Sequence, residues 1–268
     1  MDDNLRVSRG RTFGDVADVY ARARPTYPAD AARWLVGDRP AKVLELGAGT
    51  GKLTASLVAQ GHQVVATEPS GPMLAQLTGS LNVRAVRSGA EQLPFRAGTF
   101  DVVTVAQAFH WFDHERAVPE IARVLRHGGH LALVWNFRDE AIPWIRKLGQ
   151  IIGSEPHGED LNLSSGALAT ASLFEPVQTK HFGFWQQLDR QALLGMVESR
   201  SYIAALTPAE RAEILSRVGD LYDGYERGHD GMRMRYVTEC YRAQVRKDSS
   251  ADVDIEPPGG GDLLFDFH

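Results

Sequence analysis

Cysteine is almost absent from this chain: Cys240 is the only one in 268 residues. A single thiol excludes an internal disulfide and a cysteine-rich metal site, and its expected role is that of a small buried apolar residue. Long hydrophobic runs are also missing. No stretch approaches the roughly 18 apolar residues of a membrane span. The opening MDDNLRVSRGRTF is polar and holds no apolar signal core, which argues for a cytoplasmic protein. Positive charge is not in excess, with 29 Lys and Arg against 34 Asp and Glu and a net charge of -5. With no basic patch in view, a nucleic-acid partner is not expected. No cluster of histidines and carboxylates at ligand spacing stands out, so no metal is expected. No internal repeat is visible. What remains, 43% hydrophobic and 24% charged residues, is ordinary for a globular protein with small-molecule business, as a monomer or homodimer.

What is present is an alternation. PADAARWLV reads as a short helix. AKVLELGA reads as a buried strand, GKLTASLVAQGH as a helix closed by Gly61, and QVVATEPS as a second strand. GPMLAQLTG follows as a helix with Pro72 at its start. NVRAVRSGAEQLPF gives a third short strand and a loop, and FDVVTVAQAFHWF a fourth strand entering a loop. HERAVPEIARVLRHGG reads as a helix ending in a glycine pair, and HLALVWNFRD as a fifth strand. This order predicts an α/β fold, a mostly parallel sheet with helices on both faces. Later, HFGFWQQLD reads as a strand, DRQALLGMVESRSYIAAL as one helix, and TPAERAEILSRVGDLYDGY as another opened by Thr207-Pro208. RMRYVTECYRAQV, rich in β-branched and aromatic residues, reads as a last strand. The expected organisation is a single domain over 1–246. It comprises an N-terminal lid (1–36), a cofactor-binding core (40–139) and substrate-side elements (140–246). Residues 247–268 follow as a flexible tail rich in Ser, Asp, Pro and Gly.

The glycine-rich turn in VLELGAGTGKLT, Val43 to Thr54, fits three ligand classes at first reading. A triphosphate loop requires glycine where Leu46 stands and Ser or Thr where Leu53 stands. A dinucleotide fingerprint requires a third glycine where Lys52 stands. S-adenosylmethionine makes other demands. It carries a ribose and adenine, a carboxylate that backbone N–H groups can meet, and a positive sulfonium that a carboxylate can attract. Glu45 ends an otherwise apolar strand. Glu68 ends the second strand, where a carboxylate accepts from both ribose hydroxyls. The turn Pro69 to Met73 brings the Met73 side chain toward the adenine.

In succession, ELGAGTGKLT, ATEPS, SGAEQLPF, FDVVTVAQAFHWFD and EIARVLRHGGHLALVWN resemble the motifs of class I S-adenosylmethionine-dependent methyltransferases, over roughly residues 40 to 136. The segment FGDVADVYARARPTYP resembles the small-molecule branch that includes trans-aconitate methyltransferase-like proteins. The resemblance implies a Rossmann-like seven-stranded sheet whose last strand is antiparallel. It implies that Glu45, Gly47, Ala48, Gly49 and Gly51 frame the methionine moiety, and that Glu68, Pro69 and Met73 serve ribose and adenine. Ala106 and Gln107 at the end of the fourth strand complete the implied set. Many relatives carry an acidic residue where Gly89 stands, so backbone groups of Ala90 and Glu91 are expected to meet the adenine here.

The loop after the fourth strand bears on the acceptor. Amino-methylating nucleobase enzymes of this fold carry Asn/Asp-Pro-Pro-aromatic there, and cytosine-carbon enzymes a catalytic cysteine. This chain has Ala106-Gln107-Ala108-Phe109-His110-Trp111. His110 is the candidate general base, by location and titration range. Trp111 is a candidate pocket wall. Tyr20 and Arg24 are candidate lid contacts, and Arg138 a candidate carboxylate binder. The expected reaction is methyl transfer to a small-molecule oxygen nucleophile, carboxylate or hydroxyl. Two alternatives stay open: a non-catalytic module that binds the cofactor, and a nicotinamide oxidoreductase.

Overall fold

The computed structural model describes residues 25–153, 172–225 and 231–246. The expected lid contacts Tyr20 and Arg24, and the expected tail 247–268, lie outside them. A short helix, α1 (Ala29–Val36), precedes the first strand, β1 (Lys42–Leu46). Helix α2 (Lys52–Ala59) leads to β2 (Gln63–Thr67), and α3 (Gly71–Ser80) to β3 (Arg84–Val86). Next come β4 (Phe100–Ala106), a 3-10 turn at Phe109–Trp111, α4 (His114–Val124) and β5 (Leu125–Arg138). The remainder is α5 (Pro143–Ile152), β6 (Gln178–Leu188), α6 (Arg190–Glu198), α7 (Ser201–Ala204), α8 (Pro208–Gly224) and β7 (Met232–Gln244).

The strands form one seven-stranded sheet in the order β3-β2-β1-β4-β5-β7-β6. Strands β1 to β5 run parallel, and β7 is inserted antiparallel between β5 and β6. Antiparallel insertion satisfies the backbone of β5 and leaves β6 as the edge. The order reverses between β1 and β4, so their carboxyl ends open the crevice where α/β sheets bind ligands. The alternation of side chains across β1 explains the two cores. Val43 faces α1 and α2 with Leu35, Leu53 and Leu57. Leu44 and Leu46 face the opposite side, where Val118 and Ile121 of α4 pack. A third cluster joins α5, α6 and α8 to the ends of β6 and β7 through Trp144, Leu193, Val218 and Tyr236. No helix among the described residues is long and apolar enough to cross a membrane.

Two elements differ from the sequence expectation. Helix α4 stops at Val124, before the glycine pair. The fully buried Leu125 then pairs with Phe100, and a register shift follows before Val102 pairs with His130. Gly128 takes a positive φ of 78° inside this bulge. A Cβ on Gly129 would lie 2.8 Å from the Asp101 carbonyl oxygen. The glycines therefore serve a strand bulge rather than a helix end. The helix expected over DRQALLGMVESRSYIAAL is split. The Ser199 hydroxyl donates to the Met196 carbonyl at 2.8 Å, a local bond that competes with helix continuation.

Candidate active site

Glu45 stands on β1 with no exposed surface. Its Oε2 accepts a 2.6 Å hydrogen bond from the Thr54 hydroxyl of α2, and its Oε1 has no partner. Desolvation is the main cause that raises its pKa to about 8. The Thr54 bond opposes the rise, and the carboxylate of Glu68 adds to it. Glu68 follows β2 and is buried, and burial raises its pKa too. Each of its oxygens takes one backbone amide: Oε2 from Gly49 and Oε1 from Ser70, both at 2.9 Å. Glu68 thus holds the middle of the glycine turn and the start of the next loop. Each oxygen keeps a second lone pair for a ligand hydroxyl.

The three glycines of the turn have positive φ, 64° at Gly47, 58° at Gly49 and 87° at Gly51. Their surroundings differ. A Cβ on Gly47 would sit 2.7 Å from the Ala108 Cβ, and one on Gly51 would sit 2.9 Å from Leu81 Cδ1. At Gly49 the nearest atom is Met73 Sδ at 4.0 Å. Gly47 and Gly51 let protein pack against protein. Gly49 alone of the three presents backbone to open space, with Met73 beside it. Ala48 is buried and its N–H donates to the Thr67 carbonyl at 3.0 Å, which ties the turn to β2. Two further buried hydroxyls near the turn, Thr50 and Thr104, have no partner.

The post-β4 loop meets this turn through Ala108 and Phe112. Gln107 is the one non-glycine with positive φ among the described residues, at 52°, and its N–H donates to the Val134 carbonyl at 2.9 Å. That strained residue turns the chain out of β4. Ala106 is half-buried against the core beside it. Phe109 is fully buried and stacks on His114 at 4.5 Å between centroids. His110 is an exposed residue whose ring centroid lies 4.7 Å from that of Trp111. The surrounding protein, and secondarily His114, push the His110 pKa below the ordinary histidine value, so the ring is neutral at pH 7. Trp111 packs against the main core from a half-buried position.

The post-β3 loop closes the same end. Ala90 is buried in the core. The Glu91 carboxylate curls over Gly89, its Oε2 lying 2.8 Å from where a Cβ there would sit, and its Oε1 accepts from the Asp113 N–H at 3.0 Å. Pro69 is exposed and its carbonyl accepts from Arg87 at 3.0 Å. Arg138 ends β5. It is buried, donates to the Gly153 carbonyl at 3.0 Å and lies 3.7 Å from the Glu140 carboxylate. The Glu140 carboxylate thus answers part of its charge inside the protein.

Sequence reasoning missed two devices. Asn136, a polar residue in the apolar run of β5, donates to the Thr26 carbonyl at 3.1 Å and accepts from Thr238 at 2.6 Å, which pins the chain before α1 onto the sheet. The interruption of HLALVWNF by an amide was the available signal. Glu120 and Arg123 of α4 clamp the post-β3 loop. Glu120 accepts from the Leu93 N–H at 2.7 Å, while Arg123 donates to the Phe95 and Leu93 carbonyls at 2.7 and 3.0 Å. No local pattern announces a helix that reaches a loop far upstream in sequence.

A doubly wound sheet with a carboxylate-lined glycine turn at its switch point defines the class of α/β proteins that bind ligands at the carboxyl ends of their strands. The orphaned Glu45 oxygen and the open face of Gly49 lie at that switch point. Comparison with known proteins narrows this class. Residues 44–133 match the family model described as a methyltransferase domain. The chain is 41% identical over 237 residues to an uncharacterized methyltransferase of Mycobacterium tuberculosis, covering 87% of this chain and 96% of that one. It is 31% identical over 240 residues to an uncharacterized methyltransferase-like protein of Schizosaccharomyces pombe, covering 86% and 93%. Its fold matches a solved structure described as that of a putative type II methyltransferase from Anaeromyxobacter dehalogenans, with a TM-score of 0.62 at 24% identity, over 82% of this chain and 97% of that one. The chain belongs to the class I S-adenosylmethionine-dependent methyltransferases. Its cofactor is S-adenosylmethionine.

Proposed function

We propose that this methyltransferase acts on a small-molecule oxygen nucleophile, a carboxylate or a hydroxyl, in the cytoplasm. The observation that carries the reading is the post-β4 loop. It offers a neutral, accessible His110 beside Trp111, on a loop packed against the glycine turn by Ala108. It offers neither the Pro-Pro turn nor the cysteine of nucleobase chemistry. The cofactor supplies a methyl group on positive sulfur, so what the protein must add is alignment, exclusion of water and, for a hydroxyl, removal of a proton. In this reading Glu68 holds ribose, Glu45 faces the sulfonium beside the Gly49 backbone, and Met73, Ala90 and Glu91 flank the adenine. Trp111 walls the acceptor, and Tyr20 and Arg24 cover it.

The test is a screen of small acids, phenols and amines for release of S-adenosylhomocysteine, repeated with His110→Gln. Because His110 is already neutral at pH 7, its substitution separates the acceptors better than a pH profile does. A carboxylate arrives deprotonated and keeps its kcat in the variant. A hydroxyl acceptor loses on the order of 10²–10⁴-fold. Turnover confined to amines would overturn the oxygen assignment. Tight cofactor binding with no turnover of any acceptor would favour a non-catalytic binding module.

A further inference from the structure

Glu45 and Glu68 form a buried acidic pair with no countercharge among the described residues. Among the described residues neither is in an ion pair, and nothing basic contributes to the electrostatics of Glu45. The groups packed around Glu45 can be named element by element. Helix α2 brings the Thr54 hydroxyl, and β4 brings Thr104 in register, uncharged and without a partner. Strand β2 brings Ala66 in register and then Glu68 just past its end. Two lysines flank the site in sequence: Lys42 is exposed at the start of β1, and Lys52 is half-buried at the start of α2 and makes no ion pair among the described residues.

Two carboxylates in such a place are not both ionised at modest cost. Their hydrogen bonds decide which keeps the charge. Glu68 receives two backbone amides, donors that favour the anion. Glu45 receives one hydroxyl and leaves Oε1 bare, an arrangement that favours the acid. We propose that Glu45 carries a proton in the free protein and in the complex with S-adenosylhomocysteine, and releases it to solvent when S-adenosylmethionine binds. The two ligands share the ammonium, the carboxylate, the ribose and the adenine. They differ in one methyl group and the positive charge on sulfur, and that charge is what exchanges for the proton. Donor affinity then rises with pH by up to about tenfold per unit through the range in which Glu45 titrates, while product affinity does not. Product inhibition is therefore strongest in mild acid. The inference rests on S-adenosylmethionine occupying this site.

Calorimetric titration at pH 7 in two buffers of different ionisation enthalpy counts the protons exchanged with each ligand. Donor binding should release about one proton more than product binding, and Glu45→Gln should abolish the difference. Infrared difference spectra of the wild-type protein give a reading independent of how the variant folds: a protonated-carboxyl band lost on adding donor and retained on adding product. Equal proton counts for the two ligands overturn the inference, as does a difference that survives in Glu45→Gln. If neither ligand binds the wild-type protein, it is the cofactor assignment that fails.

Discussion

At the scale of single residues, glycines that look alike in sequence do different work. Gly47→Ala places a methyl group 2.7 Å from Ala108 in a left-handed backbone, so about 1–3 kcal/mol of stability should be lost in denaturant unfolding. Gly49→Ala meets only the backbone term, about 1–2 kcal/mol, but places its methyl on the open face, so calorimetry should show the larger loss of S-adenosylmethionine affinity. Equal ratios of affinity loss to stability loss in the two variants would contradict this division. Glu68→Ala strips the acceptor from the Gly49 and Ser70 amides as well as from the ligand. Charge-assisted hydrogen bonds contribute about 1.5–3 kcal/mol each, so cofactor affinity should fall roughly 10- to 100-fold. Unchanged binding would remove Glu68 from the site.

At the scale of elements, helices gain from their ends and from what they reach. Thr207 and Glu210 form a reciprocal cap at the start of α8. Thr207→Ala should cost about 1 kcal/mol, with cofactor binding unaffected. Helix α4 holds a loop that is not its neighbour in sequence. Arg123→Met removes the donors to Leu93 and Phe95, and amide hydrogen exchange over the post-β3 loop should then accelerate. Unaltered exchange there would show that the loop is held by its own packing. The start of α8 was legible because a cap is local: Thr-Pro with Glu three residues on. The end of α4 was not. The choice between another helical turn and a strand bulge depended on Phe100, which pairs with Leu125 across the sheet.

At the scale of the molecule, the buried titratable groups oppose one another. Burial raises Glu45 from 4.5 to about 8, so the folded state holds a proton that the unfolded chain gives up. The free protein therefore loses stability as pH climbs from about 4.5 to 8. Buried His62 and half-buried His130 have lowered pKa values, so their contribution is present above about 6.5 and is lost as pH falls below it. Melting temperature should peak in mild acid, and Glu45→Gln should flatten the alkaline side of the profile. Parallel profiles for wild type and variant would remove Glu45 as the cause. Added S-adenosylmethionine should raise the melting temperature most at the alkaline end.

The sequence by itself determined what depends on neighbours along the chain. Alternating apolar runs set strands and helices, Gly47 to Gly51 set a turn with positive φ, and Leu46 and Leu53 excluded a triphosphate. Glu45 and Glu68 were visible because each is a lone carboxylate at the end of an apolar strand, and burying one demands a reason. Only the tertiary structure decided what depends on which strands lie side by side. Placing β4 beside β1 packs Ala108 against Gly47 and brings the His110 loop to the turn. The course of the chain beyond β5 answers the Arg138 charge with Glu140 and the Gly153 carbonyl. The same three-dimensional arrangement leaves Glu45 beside Glu68 with no cation between them among the described residues. The charge state of a buried group is set by every atom within a few ångströms, and sequence order lists very few of those.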